Sequence, residues 1–196
     1  MFYNHKNCIS FRKIEESDLS ELKNLKDESW FGTVNTACLN MADQKHWFNK
    51  ISEDKSSLFF SCYAPVSLQL PVGLFGITNI DTISHSCEFT HSLFASMRGK
   101  GWGKLTLEAG IDMTFEMFNI HRVETWILSN NMAETKGVQS VGFIEEGRKR
   151  SAVYKCGNYL DCILFGLLRE EWSSTGRVKE MKGCCNLSYV PKDGNK

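Results

Sequence analysis

Residues Arg98 to Lys104, RGKGWGK, set three glycines among three cationic side chains just ahead of a long helical stretch. Backbone amides without Cβ cover, aligned with the positive end of a helix dipole, make such a turn a receptor for a phosphorylated anion. Two familiar versions fail on spacing. A nucleotide-hydrolase loop needs glycine five residues before Gly103, where Arg98 stands, and a metal-ligating hydroxyl after Lys104, where Leu105 stands. A dinucleotide fingerprint would need glycine at Thr106 or at Lys104, depending on its start. Upstream, His85, Cys87, Glu88 and His91 gather imidazole, thiol and carboxylate within seven residues. A carboxylate or an imidazole suits proton abstraction from an amine, and a thiol could form a covalent acyl intermediate. Glu88 and His91 project to opposite faces of a regular strand, so both reach one cleft only if a bulge re-aims one of them. Packing or surface positions are the expectation for His85 and His91. No histidine base is identifiable beside Cys87, so it is not expected as a nucleophile.

These residues need elements to hold them. Cys87 to Phe94 reads as a strand, preceded by another from Val72 to Ile80 and a hairpin loop over Asp81 to Ser86. After the glycine turn, Leu107, Gly110, Ile111, Thr114, Phe115 and Phe118 share one helical stripe, with the helix beginning near Gly101. Arg122 to Leu128 reads as a buried strand. Asn131 caps a short helix that runs through Val141 and stops at Gly142. Phe143 onward and Tyr159 to Leu168 form two strands around the Lys155 to Asn158 turn. Earlier, Ile9 to Lys13 and Leu58 to Ala64 are strand-like. Ser17-Asp18 is an N-cap for a helix carrying Leu19, Leu22 and Leu25, and a second helix spans Ala42 to Ile51. Pro65 and Pro71 bracket a turn. The pattern is mixed α/β.

Composition narrows the classes. A chain of 196 residues with 42% hydrophobic content supports one folded domain, expected over 1–172. Residues 173–196 are a polar tail, for which disorder and an added strand through Leu187 to Val190 are both open. Twenty-three basic and 23 acidic residues give no net charge, which removes the drive for non-specific nucleic-acid or membrane binding. The N-terminal stretch lacks a signal-peptide core and no segment has the length of a membrane span, so the expectation is a soluble, cytoplasmic protein. The eight cysteines are scattered or adjacent rather than paired at metal-ligand spacing. Reduced thiols and no structural metal follow.

The turn does fit R-x-x-G-x-G, carried by Arg98, Gly101 and Gly103, and in this it resembles the acetyl-coenzyme A loop of the GNAT N-acetyltransferases. Cys87-Glu88-Phe89 is similar to the start of that family's fourth strand. Asn131 stands eleven residues before Gly142, as in the family helix that ends in Gly-Phe. Glu146-Gly147, Arg150, the Gly157-Asn158-Tyr159-x-Asp161 turn and Gly166-Leu167-Leu168-x-x-Glu171-Trp172 resemble the branch of ribosomal-protein N-terminal and amino-sugar acetyltransferases. The resemblance covers roughly residues 9 to 172. It implies an α/β (α+β) GNAT fold: a mixed, mostly antiparallel sheet of about seven strands flanked by about four helices, with the fourth and fifth family strands splayed.

The same resemblance implies acetyl-coenzyme A as co-substrate, an amine as acceptor, no metal, and direct transfer in a ternary complex. Pyrophosphate would sit on Arg98, Gly99, Lys100, Gly101, Trp102, Gly103 and Lys104. Pantetheine would pair near Leu93, Phe94 and Ala95 and contact Asn131. Glu88 is the implied general base, and Phe89 or a strand neighbour could donate an N–H to the thioester carbonyl. Many relatives place a thiol-protonating tyrosine where this chain has Val138; Tyr154 and Tyr159 are candidates to replace it, as is water. Trp30 to Asn35 and the Lys149 to Tyr159 hairpin are expected to wall the acceptor site, although Trp30 and Phe31 more simply pack in the core. A protein N-terminus, a nucleotide-linked amino sugar, a polyamine and an aminoglycoside all remain open as acceptors. A homodimer is also open, and a non-catalytic acyl-coenzyme A-binding module is the alternative function.

Overall fold

The computed structural model describes residues 2–4, 9–34, 40–64, 71–175 and 186–188, with backbone alone at 2–4 and 186–188. Nine strands form one sheet in the order β7-β8-β6-β5-β4-β3-β2-β1-β9. They are β1 (Phe2–Asn4), β2 (Ser10–Lys13), β3 (Leu58–Tyr63), β4 (Gly73–Asp81), β5 (Ser86–Leu93), β6 (Arg122–Leu128), β7 (Ile144–Lys155), β8 (Asn158–Leu168) and β9 (Asn186–Ser188). The seven from β2 to β8 carry the expected core of the fold. Two three-residue strands, β1 and β9, extend its edge and pair antiparallel with each other. Among the described residues five α-helices accompany the sheet: α1 (Leu19–Ser29), α2 (Met41–Glu53), α3 (Trp102–Met117), α4 (Met132–Val141) and α5 (Arg169–Ser174).

Alternation along the strands decides which layer each side chain meets. On one face the Phe75 and Phe89 rings stack at 5.8 Å between centroids and Phe143 meets Phe89 at a tilt at 5.3 Å, and α3 lies over them with Leu107 and Ile111 buried. Gly110 is the contact point. A Cβ there would meet the Phe75 ring at 2.5 Å, so the helix approaches the sheet only as glycine. The opposite face of β3 and β4 buries Phe59 and Leu74 against Leu22 and Leu25 of α1, with Trp47 and Phe48 of α2 alongside.

Two ends are held by side chains that short-range signals do not show. Arg169 donates to the carbonyls of Phe115, Phe118 and Ile120, which satisfies the acceptors that the end of α3 leaves free. The Asp18 carboxylate accepts from the Glu15 amide and from Arg12 and makes no cap bond to α1, so the expected N-cap is redirected into the 3-10 turn Glu16–Asp18 ahead of α1. The β7–β8 turn uses Cys156 and Gly157, both with positive φ (47° and 84°), as a tight two-residue hairpin requires. The stretch from Pro65 to residue 70 lies outside the described residues, and so does most of the tail. None of the described helices is long and apolar enough to cross a membrane.

Candidate active site in the split sheet

β5 and β6 run parallel, and their pairing ends after Ser86↔Arg122, Cys87↔Val123 and Glu88↔Glu124. Beyond that point β5 stays with β4 and β6 with β8, so the sheet opens. Thr125 bridges the mouth of the gap by donating its hydroxyl to the Phe89 carbonyl at 3.3 Å. At the far end Arg98 Nε donates to the Leu93 carbonyl at 3.1 Å. Phe89 and Leu93 thus face the gap, and by the two-residue repeat of a strand the main-chain N–H and C=O of His91 face it between them. The expected pairing edge at Leu93 to Ala95 is otherwise engaged. Phe94 N–H bonds to the Val72 carbonyl (3.2 Å) and Ala95 N–H to the Glu28 carboxylate (2.7 Å). The open edge therefore lies lower, at His91.

Past β5 a 3-10 turn, Ala95–Met97, leads into the glycine turn. Gly101 is the N-cap of α3 with φ 85°, a conformation that strains any L side chain. A Cβ at Gly99 or Gly101 would meet nothing within 4 Å, so the loop surface is open to a ligand. The amides of Trp102, Gly103 and Lys104 belong to the first helical turn, where no intrahelical acceptor exists. Lys100 and Lys104 are exposed beside them. Donors and cations together suit a pyrophosphate. Arg98 contributes differently from its neighbours: its guanidinium turns back onto the main chain, reaching the Glu28 carbonyl (3.4 Å) as well as Leu93. It ties the loop to β5 and to the end of α1. Trp102 packs its ring against the core with Leu93 and Met97.

A cleft of about 700 Å³ passes through the opening and is lined from both faces of the sheet. Glu88 and His91 both line it although β5 is regular between them, because the cleft crosses the sheet plane. No bulge is needed. Glu88 stands on the α1–α2 side, and among the described residues no hydrogen bond or ion pair occupies its carboxylate. His91 points to the α3–α4 side. Thr106 Oγ1 spends its proton on the Trp102 carbonyl (2.8 Å), so its 2.8 Å contact with His91 makes His91 Nε2 the donor. His91 Nδ1 is buried without a hydrogen-bond partner, 3.5 Å from Glu134 Oε1.

Other expected site residues separate here. Asn131 lines the cleft, but its amide is committed: Oδ1 accepts from Glu134 N–H (3.2 Å) and Nδ2 donates to the Gly32 carbonyl (3.0 Å). It joins α4 to the segment after α1. Val138 is fully buried in the core. Tyr154 leaves the acid role. It is 61% exposed with its ring on Tyr159, whereas its strand neighbour Val153 lines the cleft and so sends Tyr154 the other way. Cys87 is buried, and burial, with Glu124 and Glu88 adding to it, pushes its thiol up to about 12. Such a thiol is inert near neutrality. Trp30 does not line the cleft; its carbonyl and ring instead take Lys155.

The acceptor side has Gly32 to Val34 and part of the Lys149 to Tyr159 hairpin among its lining residues, as expected, and adds α1 and α2, which the sequence did not announce. From α1, Lys26 lays its ammonium over the Trp47 ring, 3.8 Å from the centroid. From β7, Lys149 does the same over Trp126 at 4.0 Å. Both lysines line the cleft. Burial lowers the Lys26 pKa to about 8. A bulge in β7 between Lys149 and Val153 brings Ala152 and Val153 to the same wall, and Asp161 pins it by accepting from Ser151 N–H (2.9 Å) and Arg148 (3.2 Å). Those bonds hold the Asp161 carboxyl below the usual range, the Ser151 amide contributing most.

Comparison with known proteins agrees with this geometry. Residues 9–144 match the acetyltransferase (GNAT) domain. The chain belongs to the GNAT acetyltransferase family. It is 26% identical over 100 residues to a putative ribosomal N-acetyltransferase, YdaF, of Bacillus subtilis, a match covering 51% of this chain and 55% of that protein. It is 21% identical over 169 residues to the spermidine N(1)-acetyltransferase of Vibrio cholerae, covering 84% and 95% of the two chains. The chain thus spans about half the length of the first relative and nearly all of the second. The crystal structure of spermidine N-acetyltransferase from Vibrio cholerae in complex with CoA and spermine superimposes with a TM-score of 0.79 at 20% identity, covering 84% of this GNAT chain and 98% of that one.

Proposed function

We propose that this GNAT protein transfers acetyl from acetyl-coenzyme A to a primary amine by direct attack in a ternary complex. The observation that carries the proposal is the through-sheet cleft, which has the open His91 edge of β5 on one side and, on the other, the Glu88 carboxylate with no partner among the described residues, while the open glycine turn follows at the end of the same strand. Acetyl-coenzyme A, when bound, supplies the electrophilic thioester carbonyl. Gly99 to Lys104 would hold its pyrophosphate, and the His91 main chain in the split edge would pair with the pantetheine amides. Glu88 would take the proton from the acceptor ammonium so that the nitrogen lone pair can attack; the new C–N bond forms as C–S breaks. The departing thiolate needs a proton. Val138 has none to give and Tyr154 points away, whereas His91 lies on the thiol side of the cleft, and a proton held at Nδ1 opposite Glu134 would be in reach. The acceptor classes in view are a protein N-terminus or a small amine such as a nucleotide-linked amino sugar.

Calorimetry with acetyl-coenzyme A and a thiol-release assay over a panel of amines test the reading. Glu88→Gln is expected to lower kcat by about a hundredfold or more with acetyl-coenzyme A affinity kept within about threefold. His91→Gln should lower kcat with acetyl-coenzyme A affinity kept within about threefold. Lack of acetyl-coenzyme A binding by the folded protein would refute the proposal; binding with no transfer to any amine would favour an acyl-coenzyme A-binding module instead.

A further inference from the structure

The two lysines of the acceptor cleft are arranged alike. Each lays its ammonium over a tryptophan ring and lines the cavity, Lys26 on the helical wall and Lys149 on the hairpin wall. Neither makes an ion pair with a described carboxylate. Nearby acids are otherwise placed: Lys23 takes Asp27 (2.6 Å), Arg148 takes Asp161, and Asp43 accepts from the Asn40 amide (2.9 Å) at the start of α2. Lys26 is half-buried and Lys149 exposed, and for the half-buried one the lack of a counter-charge is costly to the fold, because desolvation is not offset by pairing. An aromatic face recovers only part of that cost. Glu88, between the two walls, is the complementary case of a carboxylate with no cation. Of the charged groups lining the cleft, Lys26 and Lys149 are positive and Glu88, Asp43 and Glu134 negative; Asp43 is engaged by the Asn40 amide and Glu134 faces His91, which leaves the two lysines and Glu88 without a hydrogen-bond or ion-pair partner among the described residues.

Resting on the acetyltransferase reading above, we propose that the acceptor is a zwitterionic amine: its ammonium docks at Glu88 and an anionic group on the same molecule, carboxylate or phosphate, is bound between Lys26 and Lys149. A polyamine docked by one ammonium at Glu88 would set its second ammonium beside Lys26 and Lys149. The anion supplies the counter-charge each lysine lacks, and its two ammonium partners place the amine end toward the split edge. Specificity against a dication arises from repulsion as well as attraction. The spermidine acetyltransferase of Vibrio cholerae shares this fold, and the proposal separates the two by the charge of the acceptor site.

Three amines of similar length test it with acetyl-coenzyme A present: aminobutyrate, aminopropyl phosphate and putrescine. Thiol release gives kcat/KM, and calorimetry on the complex with coenzyme A gives affinity where turnover is slow. The expected result is a preference of about tenfold or more for at least one zwitterion over putrescine, as one charge-assisted contact confers. The carboxylate and phosphate arms then say which anion the site takes. Lys26→Met and Lys149→Met should each shrink that ratio about tenfold, and Lys26→Arg or Lys149→Arg should retain most of it. Equal or better use of putrescine overturns the proposal, as does a preference that survives both methionine variants. If no amine is acetylated, the affinities decide in the same way. Loss of acetyl-coenzyme A binding in the wild-type protein would instead refute the acetyltransferase reading.

Discussion

Replacing Lys26 by methionine makes the cost of that lysine measurable. Burial drops its pKa from 10.5 to about 8, and each unit is worth about 1.4 kcal/mol of difference between charged and neutral forms. In full that is roughly 3 kcal/mol, but the ammonium keeps contact with solvent in the cleft, and screening leaves about 1 to 2 kcal/mol. The sign follows from proton counting. Between pH 8 and the unfolded value near 10.4 the unfolded chain binds more protons at this position than the folded one, so the wild-type protein gains stability as pH rises through that window. Below about pH 8 it carries the whole penalty. Lys26→Met removes the titration while keeping a flexible apolar stem on Trp47. Loss of the cation–π contact, about 0.5 to 1 kcal/mol, offsets part of the gain at pH 7. Urea denaturation of both proteins at pH 7 and pH 10 isolates the ionisation. The stability of the variant relative to wild type should be about 1 kcal/mol more favourable at pH 7 than at pH 10. A difference that does not change with pH, or changes the other way, would refute the claim that Lys26 is held desolvated without a counter-charge.

Gly101→Ala puts a Cβ at φ 85° in the open loop and should weaken acetyl-coenzyme A about tenfold in calorimetry while circular dichroism stays native; unchanged affinity would remove the loop from the binding site. Cys87→Ala should retain kcat within about threefold, because a thiol pushed up to about 12 offers almost no thiolate at neutral pH; loss of turnover in the folded variant would restore a covalent route. Trp172→Phe deletes the buried 2.7 Å bond from Nε1 to Asp112 and should cost about 1.5 to 3 kcal/mol in urea denaturation, a loss absent if Asp112 is satisfied without it.

Features written in consecutive residues were legible in the sequence. The R-x-x-G-x-G turn, the α3 stripe, the Asn131 cap and the β7–β8 turn each depend on local φ/ψ or local periodicity, and each is where its residues indicated. What failed to show is long-range. Lys26 and Trp47 meet across two helices, Lys149 and Trp126 across separate strands, and Asp18 yields its cap to Arg12 because a guanidinium competes better than an amide for a carboxylate. The Arg98 case is subtler. A cation in a phosphate turn suggests direct contact, yet the exposed loop first has to be fastened, and Arg98 serves that need through two main-chain carbonyls. Glu88 and His91 mislead for another reason. Alternation assigns them correctly to opposite faces, but opposite faces mean separate environments only where a sheet is continuous.

The discontinuity itself is the source of the site. A parallel pair that ended with both strands simply diverging would leave unpaired N–H and C=O groups along β5, which is costly once water is excluded. Here the exposed row is shortened at each end by a side chain: Thr125 satisfies the Phe89 carbonyl and Arg98 the Leu93 carbonyl, and between those two acceptors His91 presents both its N–H and its C=O. An extended ligand with alternating amides can complete that pair as a strand would. On the proposed reading the same residue sends its imidazole to the thiol side, so the pairing that would place the ligand would also set the distance from thioester sulfur to His91, while Glu88, three positions back on the opposite face, would meet the amine. One strand would then fix donor, proton source and base in a single register, and a one-residue slip of β5 would exchange the two faces and dismantle all three together.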